Sequence, residues 1–301
     1  MAKQLRYPTG VRPLLVAESA RRRRAETRVV SVLERAGFDE VILPIIDYAE
    51  PYAATGAVES RRTYRFIDRD GDLVAIRSDF TPIVARALAP SLAGSQLPLR
   101  VFYRGDVIRY QPSRLGTNRE MFQVGAEIIG DRWVQADIEA LALVTAILHE
   151  FSVKPIIVVT DATIADRIAG SEDAASRVRE ALAAKRRGAI AELRDELPPT
   201  AADLIEKLAE GTATTRDLRD YQPTREAAER LDTVAAACPG CSVHLDDVDR
   251  TLGYYTGLRF RAYDSATRAT IAQGGRYDTL YGRFGTSAAA VGFTITLDDL
   301  D

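Results

Sequence analysis

Two stretches of strand-type sequence constrain this chain more than any others. Phe102-Tyr103-Arg104-Gly105-Asp106 carries an apolar strand into a loop bearing an arginine and an acid, and Met121-Phe122-Gln123-Val124-Gly125-Ala126-Glu127 returns. A strand alternates its side chains with a period of two. Phe122, Val124 and Ala126 therefore share one face, and Gln123, Gly125 and Glu127 share the other. The sheet built from this pair is apolar on one side. On the other it presents an amide and a carboxylate, with a glycine between them leaving room above the sheet. Such a surface suits a small polar ligand, an ammonium group in particular. A hairpin with one solvated face has the same pattern, so alternation alone leaves both readings open.

The surrounding chain alternates between the two regular periods. Residues 14–36 are predicted helical, with Val29, Val32, Leu33 and Ala36 at helical spacing and Gly37 as the stop. The run Arg21-Arg22-Arg23-Arg24 encircles that helix, and Glu18 and Glu26 each lie four residues from Arg22. It therefore reads as a solvated or subunit-facing segment. Residues 41–46 read as a strand. Residues 62–67 and 73–77 read as a hairpin around Asp68-Arg69-Asp70-Gly71-Asp72. This acidic loop is not a calcium site, because Gly71 falls at the fourth position of the EF-hand pattern rather than the sixth. Ser78, Asp79 and Thr81 precede a helix at 83–88, and any of them would cap it.

Residues 137–151 form an amphipathic pattern with Ile138, Leu141, Thr145 and Leu148 on one side, ending near His149, which reads as structural. Residues 155–160 read as a buried strand. Residues 161–240 are Ala-rich, charged and broken at Gly170, Gly188, Pro198-Pro199 and Pro223, the pattern of a helical insertion. Strand-type sequence resumes at Val243. The expected fold class is α+β: an antiparallel sheet flanked by helices, with a core at 1–160 plus 241–301 and an insertion at 161–240.

Charge and cysteine usage narrow the partners. Forty basic residues against 43 acidic ones give a net charge of −3, where nucleic-acid-binding domains show basic excess. No apolar run approaches the ~20 residues that span a bilayer, and the N-terminus lacks a secretory apolar core. A cytoplasmic protein with no membrane partner is expected. Cys238-Pro239-Gly240-Cys241, with His244 three residues on, admits a redox pair or half a zinc site. The Pro-Gly pair favours a plain turn, and neither a metal nor a cofactor is expected.

Four further blocks join the hairpin: Gly37 to Pro44, Asp249-Arg250-Thr251-Leu252-Gly253-Tyr254-Tyr255-Thr256-Gly257, Gly274-Gly275-Arg276-Tyr277-Asp278 and Ala290-Val291-Gly292-Phe293. In this order they resemble the catalytic core of class II histidyl-tRNA synthetases. The 102–106 strand is similar to motif 2, the 37–44 block to motif 1, whose proline lies at a dimer interface, and the 290–293 strand to motif 3. Arg77-Ser78-Asp79-Phe80-Thr81 resembles the family segment whose acid and threonine contact the amino acid, with Asp79 one methylene shorter than the family's glutamate.

The resemblance implies a histidine site. Asp79, Thr81, Gln123 and Glu127 would meet the ammonium group, Arg250 the carboxylate, and Tyr254 and Tyr255, read as strand residues, the imidazole end. Gly253 departs from the family's aspartate. Gly274 and Gly275 would allow close backbone approach, and Arg276 would bridge Asp278 or another acid of the sheet.

The departures point away from catalysis. Asp299 stands where the motif 3 arginine that clamps ATP is expected. Unit charges about 4 Å apart interact by roughly 4 kcal/mol at a surface-like dielectric, so reversing one sign opposes adenylate formation. Arg104, matched to the motif 2 arginine, then reads with Asp299 as a remnant nucleotide site. No anticodon-binding domain is expected. This combination resembles the regulatory subunits of ATP phosphoribosyltransferase, a synthetase-like family acting in histidine biosynthesis. It implies a non-catalytic chain that dimerises through its motif 1-like region, partners a short-form catalytic subunit, binds histidine for feedback inhibition and binds no tRNA. The alternatives are a stand-alone aminoacyl-adenylate-forming ligase, a reduced synthetase, or a scaffold with an empty pocket.

Overall fold

A computed structural model describes residues 7–53, 61–110, 118–184, 187–194, 196–247 and 253–300. Helix α1, Val16–Arg35, buries Ala25, Val29, Val32 and Leu33 along one stripe. It stops before Gly37, whose φ of +81° suits glycine.

The strand expected at 41–46 does not form. Asp39–Glu40 (β1) and Ile46–Tyr48 (β2) are separated by an extended connection. The reason is Arg77. Its backbone N–H donates to Ile45 O (2.8 Å) and its guanidinium to Leu43 O (2.9 Å) and Pro44 O (3.3 Å), so these carbonyls are satisfied without a neighbouring strand. The predicted hairpin is present as Arg65–Ile67 (β3) and Leu73–Ile76 (β4), which form a three-stranded antiparallel sheet with β2 in the order β2-β4-β3. Its acidic loop is a turn. Asp68 Oδ1 accepts from the N–H groups of Asp70 (2.9 Å) and Asp72 (3.0 Å).

After α2, Thr81–Leu88, the chain builds the main sheet from β5 (Leu99–Ile108), β6 (Glu120–Ile129), β7 (Pro155–Asp161), β8 (Cys241–Val243), β9 (Leu258–Asp264), β10 (Thr270–Arg276) and β11 (Ala290–Thr296). The order is β1-β5-β6-β11-β10-β9-β7-β8. The interior is antiparallel as expected, but the two edge pairs, β1–β5 and β7–β8, are parallel. Each parallel pair is reached by a long crossover. For β7–β8 that crossover is the helical segment, which runs from Ile164 to Ala237. One of its breaks departs from expectation, since Gly188 lies within the helix Arg187–Arg194; Pro223 does separate two helices, in the short 3-10 turn Gln222–Thr224. The Cys238-Pro239-Gly240-Cys241 turn forms, with Cys241 N–H donating to Cys238 O at 3.0 Å. It is not a plain turn, however, because the two sulfurs are joined as a disulfide across a Cα–Cα separation of 5.6 Å.

One face of the sheet carries α1, the helix α3 (Val134–Glu150) and the helical segment. Val178, Leu204 and Leu231 of that segment join the same apolar cluster as Val29, Phe102 and Ile157. The opposite face carries a second, tyrosine-rich cluster that includes Phe80, Tyr103, Tyr254 and Tyr277. α3 starts three residues before the expected 137 and is rotated. Its buried stripe runs through Asp137, Ala140, Leu141, Val144, Ile147 and Leu148, leaving Ile138 and Thr145 half-buried and His149 exposed.

The rotation follows from a buried ion pair. Arg276 Nε donates to Asp137 Oδ1 at 2.8 Å, with Arg276 2% and Asp137 0% exposed, and Arg230 closes on the other carboxylate oxygen. Arg276 also donates to Asp278 (3.1 Å), to Asp131 O (2.9 Å) and to Trp133 O (3.2 Å). The arginine is thus structural, and its main acid lies on a helix rather than in the sheet. Removing one member of such a pair strands the other charge. Asp137→Ala is expected to lower stability to urea by about 3–5 kcal/mol. A loss below about 1 kcal/mol in the same titration would show that the carbonyls alone hold Arg276.

Candidate functional site

β6 keeps the alternation that its sequence dictates. Phe122, Val124, Ala126 and Ile128 pack on the helical side, while Gln123, Gly125 and Glu127 face the tyrosine cluster. Glu127 is 0% and Gln123 3% exposed. Three hydroxyls donate to the Glu127 carboxylate: Thr81 (3.0 Å) and Tyr103 (3.0 Å) to Oε1, and Tyr277 to Oε2. The room above Gly125 is filled by Tyr103, whose ring lies 2.5–2.6 Å from where a Cβ on Gly125 would stand. On the neighbouring strand, a Cβ on Gly292 would run into the Glu127 carboxylate. Both glycines are therefore required by close approach. Gly274 and Gly275 act the same way beneath the rings of Phe260 and Tyr255.

A second buried acid stands beside Glu127. Asp79 Oδ1 accepts from Thr81 N–H (3.1 Å) and Oδ2 from the Tyr254 hydroxyl (3.0 Å); the side-chain cap expected from sequence is not formed, because Phe80 takes the N-cap position. Arg77 fixes the segment from below, stacking its guanidinium 4.0 Å from the centroid of Phe80. Burial raises the Asp79 carboxyl, opposed chiefly by the charge of Arg109. Burial likewise pushes Glu127 up to about 8, against three hydroxyl donors that favour its charged form and with Asp79 adding to the rise. Gln123 Oε1 is enclosed and accepts no hydrogen bond from the described residues. The arrangement is a cleft floor with two carboxyls and an unused acceptor, which suits a bound cation or a donor-rich group.

The structure brings together Asp79, Thr81, Glu127, Tyr254 and Tyr255, with Gln123 on the same face of β6 four residues from Glu127. Tyr254 and Tyr255 are not strand residues. They lie in a turn and coil before β9, both buried, with ring centroids 4.9 Å apart. Arg250 falls outside the described residues, and of Asp299 only the backbone, in a 3-10 turn at Leu297–Asp299, is described. Arg104 does not join the cleft. Its position on β5 turns it to the helical side, where Nε donates to Glu40 (2.7 Å) and its terminal nitrogen to Glu26 (2.6 Å). Arg109 lies an odd number of residues away and therefore on the other face. Its Nε donates to Ser78 O at 2.8 Å beside Asp79. The same alternation places Tyr103 over the cleft. Period two along 101–109 was the signal available for both residues, whereas nothing local marked Tyr277.

Comparison with known proteins agrees with this architecture. The histidyl-tRNA synthetase family model matches residues 10–300. The ATP phosphoribosyltransferase regulatory subunit of Moorella thermoacetica is 31% identical over 98% of this chain and 81% of the relative. The chain belongs to the ATP phosphoribosyltransferase regulatory subunit family. Another member, from Pseudomonas paraeruginosa, is 32% identical over 97% of this chain and 79% of the relative. Among solved structures, a Bacillus halodurans protein described as an ATP phosphoribosyltransferase regulatory subunit/histidyl-tRNA synthetase superposes with a TM-score of 0.84. It covers 100% of this chain and 83% of its own at 24% identity, which supports the fold. A histidine–tRNA ligase subunit from Alicyclobacillus acidocaldarius gives a TM-score of 0.76 at 27% identity over 100% and 97% of the two chains.

In this family member the buried carboxyl gives a signed pH dependence. Glu127 rises from an ordinary 4.5 to about 8 on folding, so the unfolded chain ionises first. Its stabilisation is complete below about 4.5 and is lost as pH rises through about 8. Glu127→Gln, neutral throughout, removes that slope. Its stability relative to the parent should rise between pH 5 and pH 8.5 by on the order of 1–4 kcal/mol. Parallel thermal melts check this, and equal slopes for the two proteins would refute it.

Proposed function

We propose that this chain is a non-catalytic regulatory subunit. It binds free histidine in the Glu127 cleft and passes that binding to a short-form ATP phosphoribosyltransferase catalytic subunit, which it activates. The observation that carries the reading is the pairing of two buried carboxyls with the unused Gln123 acceptor, a floor chemically complementary to an ammonium group. Asp79, Thr81, Gln123 and Glu127 take the ammonium, Tyr254 and Tyr255 the ring end, and Arg250 the carboxylate. On this reading residues 1–160 and 241–301 are the ligand-binding core and 161–240 a helical insertion. The protein works in the cytoplasm without tRNA. Among the described residues no helix is long and apolar enough to cross a membrane.

The mechanism is linkage. Histidine in the cleft favours one arrangement of the complex, and a coupling of about 1–3 kcal/mol suffices for useful inhibition. Glu127→Ala should weaken histidine binding at least about tenfold, the effect of roughly 1.4 kcal/mol, and shift inhibition of the complex to match while activation of the catalytic subunit persists. Calorimetry and activity assays with and without histidine check both. Amino-acid-dependent ATP–pyrophosphate exchange by the isolated chain, lost in Arg109→Ala, would overturn the non-catalytic assignment in favour of an adenylate-forming ligase.

A self-dimer through the motif 1-like region at 37–44 fits the same reading. Ile42 there is 91% exposed, and Ile45, Ile46 and Tyr48 just beyond it, with Ile67 and Leu73 of the small sheet, are exposed too, Ile67 at 63%. Large exposed apolar residues on neighbouring segments suit an interaction site. Ile42→Asp combined with Ile67→Asp should convert a dimer to a monomer in light scattering. A dimer of unchanged stability would exclude this face.

A further inference from the structure

Tyr103, Tyr254, Tyr255, Tyr277 and Tyr281 share one apolar cluster around the buried acids. Three of their hydroxyls are used. Tyr103 and Tyr277 donate to Glu127, and Tyr254 donates to Asp79. The Tyr281 hydroxyl is not. It is fully enclosed, its residue is 0% exposed, and among the described residues it has no hydrogen-bond partner. An unpaired buried hydroxyl is unfavourable, and phenylalanine would fill the same apolar surroundings without it.

The placement of Tyr281 links it to the cleft. It opens the 3-10 turn Tyr281–Phe284, four residues after Tyr277, and the two rings lie nearly parallel with centroids 6.5 Å apart. That turn packs against α2, the helix bearing Thr81. The Glu127 charge reaches Tyr281, and with burial it holds the hydroxyl well above its usual range, so the group remains a donor. The other enclosed orphan on the cleft floor, Gln123 Oε1, is an acceptor. The two orphans have complementary chemistry. A ligand with an ammonium group for Gln123 and a polar ring atom for Tyr281 satisfies both.

We propose that Tyr281 is a specificity-determining residue of this cleft, its hydroxyl hydrogen-bonding a polar ring atom of a bound heteroaromatic amino acid, an imidazole nitrogen in the case of histidine. This rests on the reading that the cleft binds histidine, and it adds a residue that recognises the side chain. Sites that hydrogen-bond a ligand group reject analogues lacking it far more strongly than apolar pockets reject a size change.

The test is calorimetry on the full chain, alone and with its catalytic partner, using histidine and thienylalanine, whose five-membered ring has no nitrogen. The parent should prefer histidine by at least about a hundredfold. Tyr281→Phe should bind histidine about tenfold or more weakly, bind thienylalanine as the parent does, and melt no lower than the parent. Histidine affinity within about twofold of the parent in the folded variant would overturn the proposal. So would equal affinity of the parent for the two ligands, a result independent of any substitution. Absence of histidine binding by the parent in both settings would instead overturn the reading of the cleft itself.

Discussion

Burying the Glu127 carboxyl organises the whole cleft side of the sheet. A carboxyl with no exposure must be given donors or kept neutral, and here both occur: Thr81, Tyr103 and Tyr277 supply hydroxyls, and the group titrates near 8. Those donors come from α2, β5 and the end of β10, so one side chain ties together three parts of the fold. The same demand explains Gly292, whose missing Cβ leaves the carboxylate its place, and Gly125, which admits the Tyr103 ring. The acid is favourable to a ligand because the protein's own donors are neutral. A cation arriving at this floor supplies the charge that hydroxyls cannot.

Two buried guanidiniums do for the backbone what the hydroxyls do for the acids. Arg77 satisfies the carbonyls of Leu43, Pro44 and Asp106, and thereby holds an irregular strand-like connection against the main sheet. Arg276 joins Asp137 of α3 to the carbonyls of Asp131 and Trp133, fixing both the entry and the rotation of that helix. A guanidinium suits this use because its five donors are planar and spread. Arg77 thereby positions a connection that packs beside the tyrosine cluster, whereas Arg276 positions a helix on the opposite face of the sheet.

Much of this was legible one residue at a time. The alternation at 122–127 assigned Gln123, Gly125 and Glu127 to one face, and the structure keeps that partition because a strand has no other way to place them. The helix at 14–36 and its end at Gly37 followed from spacing and from glycine's tolerance of positive φ. Arg104 was less well placed. Its resemblance to a motif arginine outweighed its parity on β5, which sends it to Glu26 and Glu40 on the helical side. The strand at 41–46 was lost to a distant side chain, Arg77, that no local pattern announces. Likewise a Cys-Pro-Gly-Cys turn reads the same with its sulfurs free or joined.

The sequence by itself determined which residues could share a face, where helices stop, and that an amide and an acid would sit together on a sheet, since each of these depends only on backbone periodicity and the φ/ψ preferences of nearby residues. Only the tertiary structure decided which hydroxyls reach Glu127, which acid pairs with Arg276, and which tyrosine is left unpaired. Tyr277 and Glu127 are 150 positions apart in the chain. Contacts across such separations are chosen by packing in three dimensions and by the need to satisfy every enclosed polar atom, and neither requirement is written in the spacing of neighbours.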